Sequence, residues 1–280
     1  MTPYTTQPIT LKGIPSGILY HYTTIQAFKK IIESQIFLMS HYTNVADNTE
    51  IVWAFRIFEE KFGHLFPPKI LLKKIIPDQF FIFCTCKRSN NLSLWQNYAS
   101  NGRGVVIAIN AAALYHFYGA AEDKGGNILM SSMDYDNDAF IKLCSDTAQS
   151  LRPVALYTPI NWQKPLQPAD LLKIPGYAEY KKETQPILGK VTLQKNSSFS
   201  HEEEVRIVHW PFPHGENYPL EIRQQGTKRK AVLPFSDGGG HLLNSVIITD
   251  QGPNIQAINR ITERAGLELP VETIFIQDLQ

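Results

Sequence analysis

Short β-rich runs separated by helical segments are the feature of this 280-residue chain that most constrains its fold. Polar and apolar residues alternate over 18–24, apolar residues then recur at helical spacing over 25–34, and a second apolar run covers 36–40. Further β-rich runs occupy 80–86, 104–110 and much of the second half of the chain. This order predicts an α+β fold with a mixed, mostly antiparallel sheet and flanking helices.

The length of the chain is sufficient for one large domain or two small ones. We predict a lead-in over residues 1–17, followed by a single domain over 18–280. No stretch approaches the roughly 20 apolar residues that span a bilayer, and the N-terminus lacks the pattern of a secretory signal. The three cysteines fit a reducing compartment better than a disulfide framework. Together these features predict a cytoplasmic protein with no membrane partner.

The charge balance argues against a dedicated nucleic-acid-binding protein. The chain has 27 Lys and Arg against 26 Asp and Glu, a net charge of +1, whereas phosphate binding usually requires a clear basic excess. The compact basic run at 228–230 is typical of a solvated turn or edge. Neither a G-x-G-x-x-G nor a G-x-x-x-x-G-K-S/T motif occurs, so the phosphate-cradling loops of Rossmann and P-loop folds are missing.

His21 is the first candidate site residue. It lies in the predicted strand ILYHYTT, directly before a helix, with Tyr20, Tyr22 and Thr23 as neighbours. A strand-to-helix junction brings side chains close to backbone N–H groups that attract anions. The alternative is a histidine packed among aromatic residues in the core.

The segment HEEEVRIV, residues 201–208, is the second candidate. Glu202, Glu204 and Arg206 recur at every second position, so one strand would place all three on the same face. Neighbouring carboxylates raise each other's pKa, and an arginine lowers and orients them. This arrangement suits binding of sugar hydroxyls or stabilisation of a developing cation. The alternative is a charged, solvated edge strand that resists aggregation.

Two aromatic residues form the third candidate. Trp95 and Tyr98 precede a turn that contains Gly102 and Gly104. Aromatic side chains beside flexible backbone can form a platform for a flat ring. A core tryptophan followed by an ordinary turn is the alternative.

Acidic residues raise the question of a metal. Asp47 and Glu50 could join Glu202 and Glu204 around a divalent ion, as in a metal-dependent nuclease or hydrolase. Acids at the start of the helix predicted over 47–62 explain the first two better. We therefore predict no metal site.

Several segments together resemble the bacterial domain-of-unknown-function family 2971. They are LYHYT, IIESQIFLMS, DNTE, FCTCKRSNNLSLWQNYASNGRGVVIAI, LQKNSSFSHEEEVRIV and the closing VLPF to VETIFI region. The resemblance spans roughly 18–277, and Gln96 and Phe199 depart from the arginine and tryptophan frequent in that family. The positions it marks are Tyr20, His21, Tyr22, Thr23, Asp47, Glu50, Trp95, Tyr98, Gly102, Gly104, Val105, Lys195, Phe199, Glu202, Glu204 and Arg206.

A more distant similarity concerns the order of chemical groups along the chain. A strand histidine before a helix, an aromatic residue before a G-x-G-V strand and a late strand glutamate resemble the His-Tyr-Glu elements of ADP-ribosyltransferases. This similarity implies an ADP-ribosyltransferase-like fold and NAD as a substrate, with a nucleotide-like small molecule and an unknown macromolecular acceptor as partners.

The same similarity implies roles for individual residues. Glu204, with Glu202 beside it, would stabilise the oxocarbenium-like ribose, and His21 would position the dinucleotide. Tyr98 or Tyr22 would stack on nicotinamide. The cations Lys195 and Arg206 would bind the pyrophosphate or orient the carboxylates.

Three functions follow from these patterns. The first is an ADP-ribosyltransferase or NAD glycohydrolase that acts as a toxin or phage-defence effector, and it predicts that His21 and Glu204 converge in one cleft. The second is a non-catalytic module that binds a nucleotide or a protein. The third is the metal-dependent nuclease or hydrolase.

Overall fold

One ten-stranded sheet organises the part of the chain that the structure describes. The computed structural model describes residues 17–44, 48–63, 81–114, 128–150, 187, 190–209, 221–225, 228–235 and 242–279. The strands are β1 (Ile18–Thr23), β2 (Ile36–His41), β3 (Phe81–Cys86), β4 (Val105–Asn110), β5 (Ile128–Ser132), β6 (Glu204–His209), β7 (Ile222–Gln225), β8 (Lys228–Pro234), β9 (Leu243–Thr249) and β10 (Val271–Ile274). Almost all of the predicted lead-in lies outside the described residues.

The sheet is mixed and mostly antiparallel. Its main path runs β10-β9-β4-β1-β3-β2-β8-β7, and only β9 and β10 are parallel. Strand β3 pairs along its whole length with β6, which pairs in turn with β5. The other edge of β3 is divided, because β1 meets its C-terminal end and β2 its N-terminal end. The predicted α+β class with a mixed, mostly antiparallel sheet is confirmed.

Five α-helices whose two ends both lie in the described residues flank the sheet. The first helix begins after Thr24, whose hydroxyl accepts a hydrogen bond from the N–H of Ala27, and ends at the left-handed Gln35. The third helix begins after Asn91, whose side-chain oxygen accepts a hydrogen bond from the Leu94 N–H. The helices are α1 (Ile25–Ser34), α2 (Asn48–Phe62), α3 (Leu92–Tyr98), α4 (Asn137–Ser150) and α5 (Ile255–Arg264).

The two faces of the sheet carry separate apolar clusters. The larger cluster contains Val105 and Ile107 of β4, together with Phe83 of β3. The smaller one contains Val106 of β4 and Cys86 of β3. Because side chains alternate along a strand, these assignments define two faces, called here the large-core face and the small-core face. Helix α3 packs on the small-core face.

No helix among the described residues is both long and apolar enough to cross a membrane.

Candidate functional site

A buried charge cluster of four side chains lies on the small-core face. The Lys195 Nζ is 2.7 Å from the Glu202 Oε2 and 2.9 Å from the Glu204 Oε2. The Arg206 Nε is 2.6 Å from the Glu204 Oε1, and its Nη1 donates to the Thr192 carbonyl at 3.1 Å. Each of the four is 6% exposed or less. Two cations thus neutralise two carboxylates, as burial of charge requires.

The backbone around β6 brings these groups together. Glu204 and Arg206 are two residues apart on β6 and share one face, as predicted. The prediction is wrong for Glu202, which ends a 3-10 helix (Ser197–Glu202) before the strand begins. Glu203 between them has a φ of 45°, in the left-handed region, and is the C-cap that ends the 3-10 helix. Glu202 therefore reaches the cluster from a turn instead of from the strand.

The alternative of a solvated edge strand is also wrong. Strand β6 lies between β3 and β5, and all six of its residues are buried. Its charged side chains therefore do not face solvent, where they could prevent edge-to-edge aggregation.

Glu204 is held in its ionised form. Burial by itself raises the pKa of this carboxyl, but the positive charges of Arg206 and Lys195 outweigh that effect and lower the pKa to about 2. The thiol of Cys84, opposite Arg206 on the neighbouring strand, also hydrogen-bonds the carboxylate. Glu204 is therefore an anion throughout the physiological range.

Acidification is expected to weaken the fold through Glu204. Its folded-state pKa of about 2 lies below the ordinary value of 4.5, so the unfolded chain takes up a proton first as the pH falls. The stabilisation is complete above the ordinary pKa and is lost as the pH falls towards the folded-state pKa. Chemical denaturation between pH 7 and about pH 3 measures this loss. The curve of Glu204→Gln should be flatter than that of the wild type, and equal slopes would contradict the assignment.

Two tyrosines lie beside the cluster. The Glu204 N–H donates to the Tyr135 hydroxyl oxygen at 3.1 Å. Burial and the Glu202 carboxylate raise the pKa of Tyr98 to about 12, and burial chiefly raises that of Tyr135 to about 12. Tyr98 is nevertheless 39% exposed. Tyr135 was missed at the sequence level, because it follows β5 in a short irregular segment that carries no periodic signal.

His21 does not join this cluster. It is registered opposite Ile107 on β4, and its ring packs against Phe83 at 4.6 Å and Phe37 at 6.0 Å between centroids. These three partners belong to the large-core face, whereas Glu204 is registered opposite Cys86 on the small-core face. The structure therefore places His21 and Glu204 on opposite faces of the sheet.

The surroundings of His21 explain its position. Its Nδ1 lies 2.9 Å from the Cys84 carbonyl oxygen, at the divided edge of β3. Burial lowers the pKa of the imidazole. The histidine thus satisfies a backbone group between two diverging strands, which is a packing role.

Most of the other predicted binding residues take part in packing. Trp95 is fully buried, and its Nε1 donates to the Ser89 carbonyl at 2.8 Å. Tyr22 is buried against it, and the Tyr22 hydroxyl donates to the Arg88 carbonyl at 2.9 Å. Thr23 is buried as well. Trp95 is therefore a core tryptophan, as in the alternative to the aromatic platform.

Gly104 and Tyr20 complete the predicted set. A Cβ at Gly104 would lie 2.3 Å from the Thr23 carbonyl oxygen, so this glycine permits close backbone packing and leaves no room for a ligand. Tyr20 is partly exposed on the small-core face, and burial followed by the charge of Glu272 raises its pKa.

A recess of about 480 Å³ is lined by the two residues that flank Glu202 in the chain and by residues of α3 and its approach. One wall comes from α3 and the residues just before it, and it includes Arg88, Ser93 and Gln96. The other wall comes from His201 and Glu203, the two neighbours of Glu202 in the chain. No local pattern could predict this recess, because Asn91 and His201 on its two walls are 110 residues apart in the chain.

The described residues offer little to a metal ion. Among them, no group of three or more His, Cys, Asp or Glu is arranged to hold one. Asp47 lies outside the described residues, as does the side chain of Glu50. The Glu202 and Glu204 carboxylates already face Lys195 and Arg206.

The charge cluster lies within a segment that matches a known family model. Residues 94–207 match the model of a family described as Protein of unknown function (DUF2971). The predicted family is confirmed over this segment. The DUF2971 segment includes Tyr98, Tyr135 and all four members of the charge cluster. No curated protein and no solved structure matches the chain significantly, so the more distant similarity to ADP-ribosyltransferases stays a prediction.

Proposed function

We propose that this protein binds a nucleotide-like small molecule beside the buried charge cluster, with Tyr98 as the stacking residue. One observation carries the proposal. Tyr98 is a partly exposed aromatic side chain next to ionised groups, and none of the described residues accepts a hydrogen bond from its hydroxyl. An aromatic face and a polar tip at the same place suit a flat ring that also carries hydroxyl groups.

The role of the charge cluster in this proposal is to fix the site. Lys195 bridges the 3-10 helix and β6 through its contacts with Glu202 and Glu204. The Lys195 Nζ also lies 4.9 Å from the centre of the Phe199 ring. These contacts hold the carboxylates within electrostatic reach of Tyr98.

A catalytic form of the proposal is ADP-ribosyl transfer or NAD hydrolysis, in the manner of a toxin or phage-defence effector. It is supported by the ionised state of Glu204, which a cation-stabilising carboxylate needs. Two features favour binding without turnover. Arg206 and Lys195 already neutralise that carboxylate, and His21 lies on the opposite face. NAD is therefore the probe of choice, because it tests both forms.

NAD is expected to raise the melting temperature of the wild-type protein, since a ligand that binds only the native state stabilises it. Tyr98→Ala should weaken NAD binding by about tenfold, the value of one lost aromatic stacking contact. Phe275→Ala is the matched control, because Phe275 is another exposed aromatic residue, on the segment that follows the edge strand β10. Nicotinamide measured in the same mixtures separates binding from turnover.

The outcomes of this experiment distinguish the binding module from the catalytic form. Binding without nicotinamide release supports the binding module, and release that Glu204→Gln abolishes supports the catalytic form. Equal binding by the Tyr98 variant and the control would contradict the proposed site. A cytoplasmic location is part of the proposal and is supported by the three free cysteines.

A further inference from the structure

We propose that the recess between α3 and the residues that flank Glu202 binds the phosphate group of the ligand, with Arg88 as the anion-binding residue. This inference rests on the proposed function, since it deepens the description of the same site. The recess has a volume of about 480 Å³, which leaves room for a phosphate and part of a sugar.

The walls of the recess are fixed by backbone contacts. The Asn91 Nδ2 donates to the His201 carbonyl at 2.8 Å, and the Lys87 N–H donates to the Glu203 carbonyl at 3.2 Å. Asn91 is itself buried. Two segments that are distant in sequence are thereby held at a constant separation, which is the preorganisation that a binding site needs.

The lining of the recess is rich in hydrogen-bond donors. Arg88 supplies a guanidinium, Ser93 a hydroxyl, Gln96 an amide and His201 an imidazole. A guanidinium can donate two parallel hydrogen bonds to phosphate oxygens. The chemistry of the lining therefore favours a phosphate over a neutral group.

Glu203 is the one carboxylate in the lining, and it forms an ion pair with Arg88. The Arg88 side chain is 56% exposed and remains accessible. A bound phosphate would share or replace Glu203 as the partner of Arg88. Glu203 is therefore a competitor for the arginine, and its removal should strengthen phosphate binding.

Helix α3 carries both the proposed stacking residue and part of the recess lining. Gln96 lines the recess, and Tyr98 follows it by two positions and therefore faces a different side of the helix. His201 and Glu203 of the lining flank Glu202 of the charge cluster. In the proposed binding mode, a nucleotide with its ring on Tyr98 extends across α3 to bring its phosphate to Arg88.

The test compares AMP, adenosine and inorganic phosphate by calorimetry and thermal shift. Wild-type protein should bind AMP about tenfold more tightly than adenosine, the usual effect of one charge-assisted contact. Arg88→Gln should abolish that difference, and Glu203→Gln should increase it. Arg264→Gln is the matched control, because Arg264 is exposed on α5, which packs on the large-core face.

Each result bears on one of the two proposals. Equal binding of AMP and adenosine by the wild type, or an undiminished difference in Arg88→Gln, overturns the phosphate site and leaves the proposed function standing. Binding of inorganic phosphate that depends on Arg88, with no binding of adenosine, supports the phosphate site and overturns the proposed stacking site. Absence of binding by all three probes overturns both.

Discussion

Arg206→Met is expected to destabilise the protein by about 3–5 kcal/mol, the usual cost of removing one partner from a buried ion pair. The substitution leaves the carboxylates of Glu202 and Glu204 to share Lys195 as their remaining partner in the cluster. Both carboxylates are buried, so water cannot replace the lost guanidinium. The free energy of unfolding from chemical denaturation measures the effect.

A second substitution distinguishes lost charge balance from lost packing. Glu204→Gln combined with Arg206→Met removes one charge of each sign and restores a one-to-one pairing of Lys195 with Glu202. This double variant should be more stable than Arg206→Met alone, because the uncompensated buried charge is gone. If the double variant is the less stable of the two, charge balance is not what the cluster contributes.

Gly104→Ala is expected to cost about 3 kcal/mol or more, because the added methyl group has no space. Its Cβ would lie 2.3 Å from the Thr23 carbonyl oxygen and 2.8 Å from the Ala99 Cα. Both neighbours are backbone atoms, and the Gly104 N–H also donates to the Ala99 carbonyl at 2.7 Å. Relief would require a shift of the end of α3 away from β1.

Gly63→Ala is the matched control for this prediction. A Cβ there meets no atom of the described residues within 4 Å, so the free energy of unfolding should change little. Thermal melting of the two variants side by side gives the comparison. Similar melting temperatures would show that the close approach at Gly104 relaxes easily.

Local periodicity was enough to predict most of the described elements. The prediction of a helix over 25–34 was correct because the N-cap and the apolar spacing of this helix lie within a dozen residues. Strand β3 was recognised from its continuous β-rich run. Such signals are local, and they do not depend on where the element lies in the molecule.

The position of a strand within the sheet required long-range information. The charged residues of β6 are compatible with an exposed edge, but pairing with β3 and β5 makes this strand internal. The register of β1 with β4 places the His21 side chain on the large-core face. The register of β3 with β6 places the Glu204 side chain on the small-core face. Alternation within one strand is readable from sequence, but the relation between two strands is not.

The sequence by itself determined the α+β class, the family over 94–207 and the identity of the charged residues at the candidate site. Only the tertiary structure decided that Lys195 bridges Glu202 and Glu204, that Tyr135 stands beside them and that the recess opens next to Arg88. The physical reason is the range of the interactions. Helix and strand formation follow from neighbouring residues, whereas a binding site is made by side chains that only strand pairing and packing bring together.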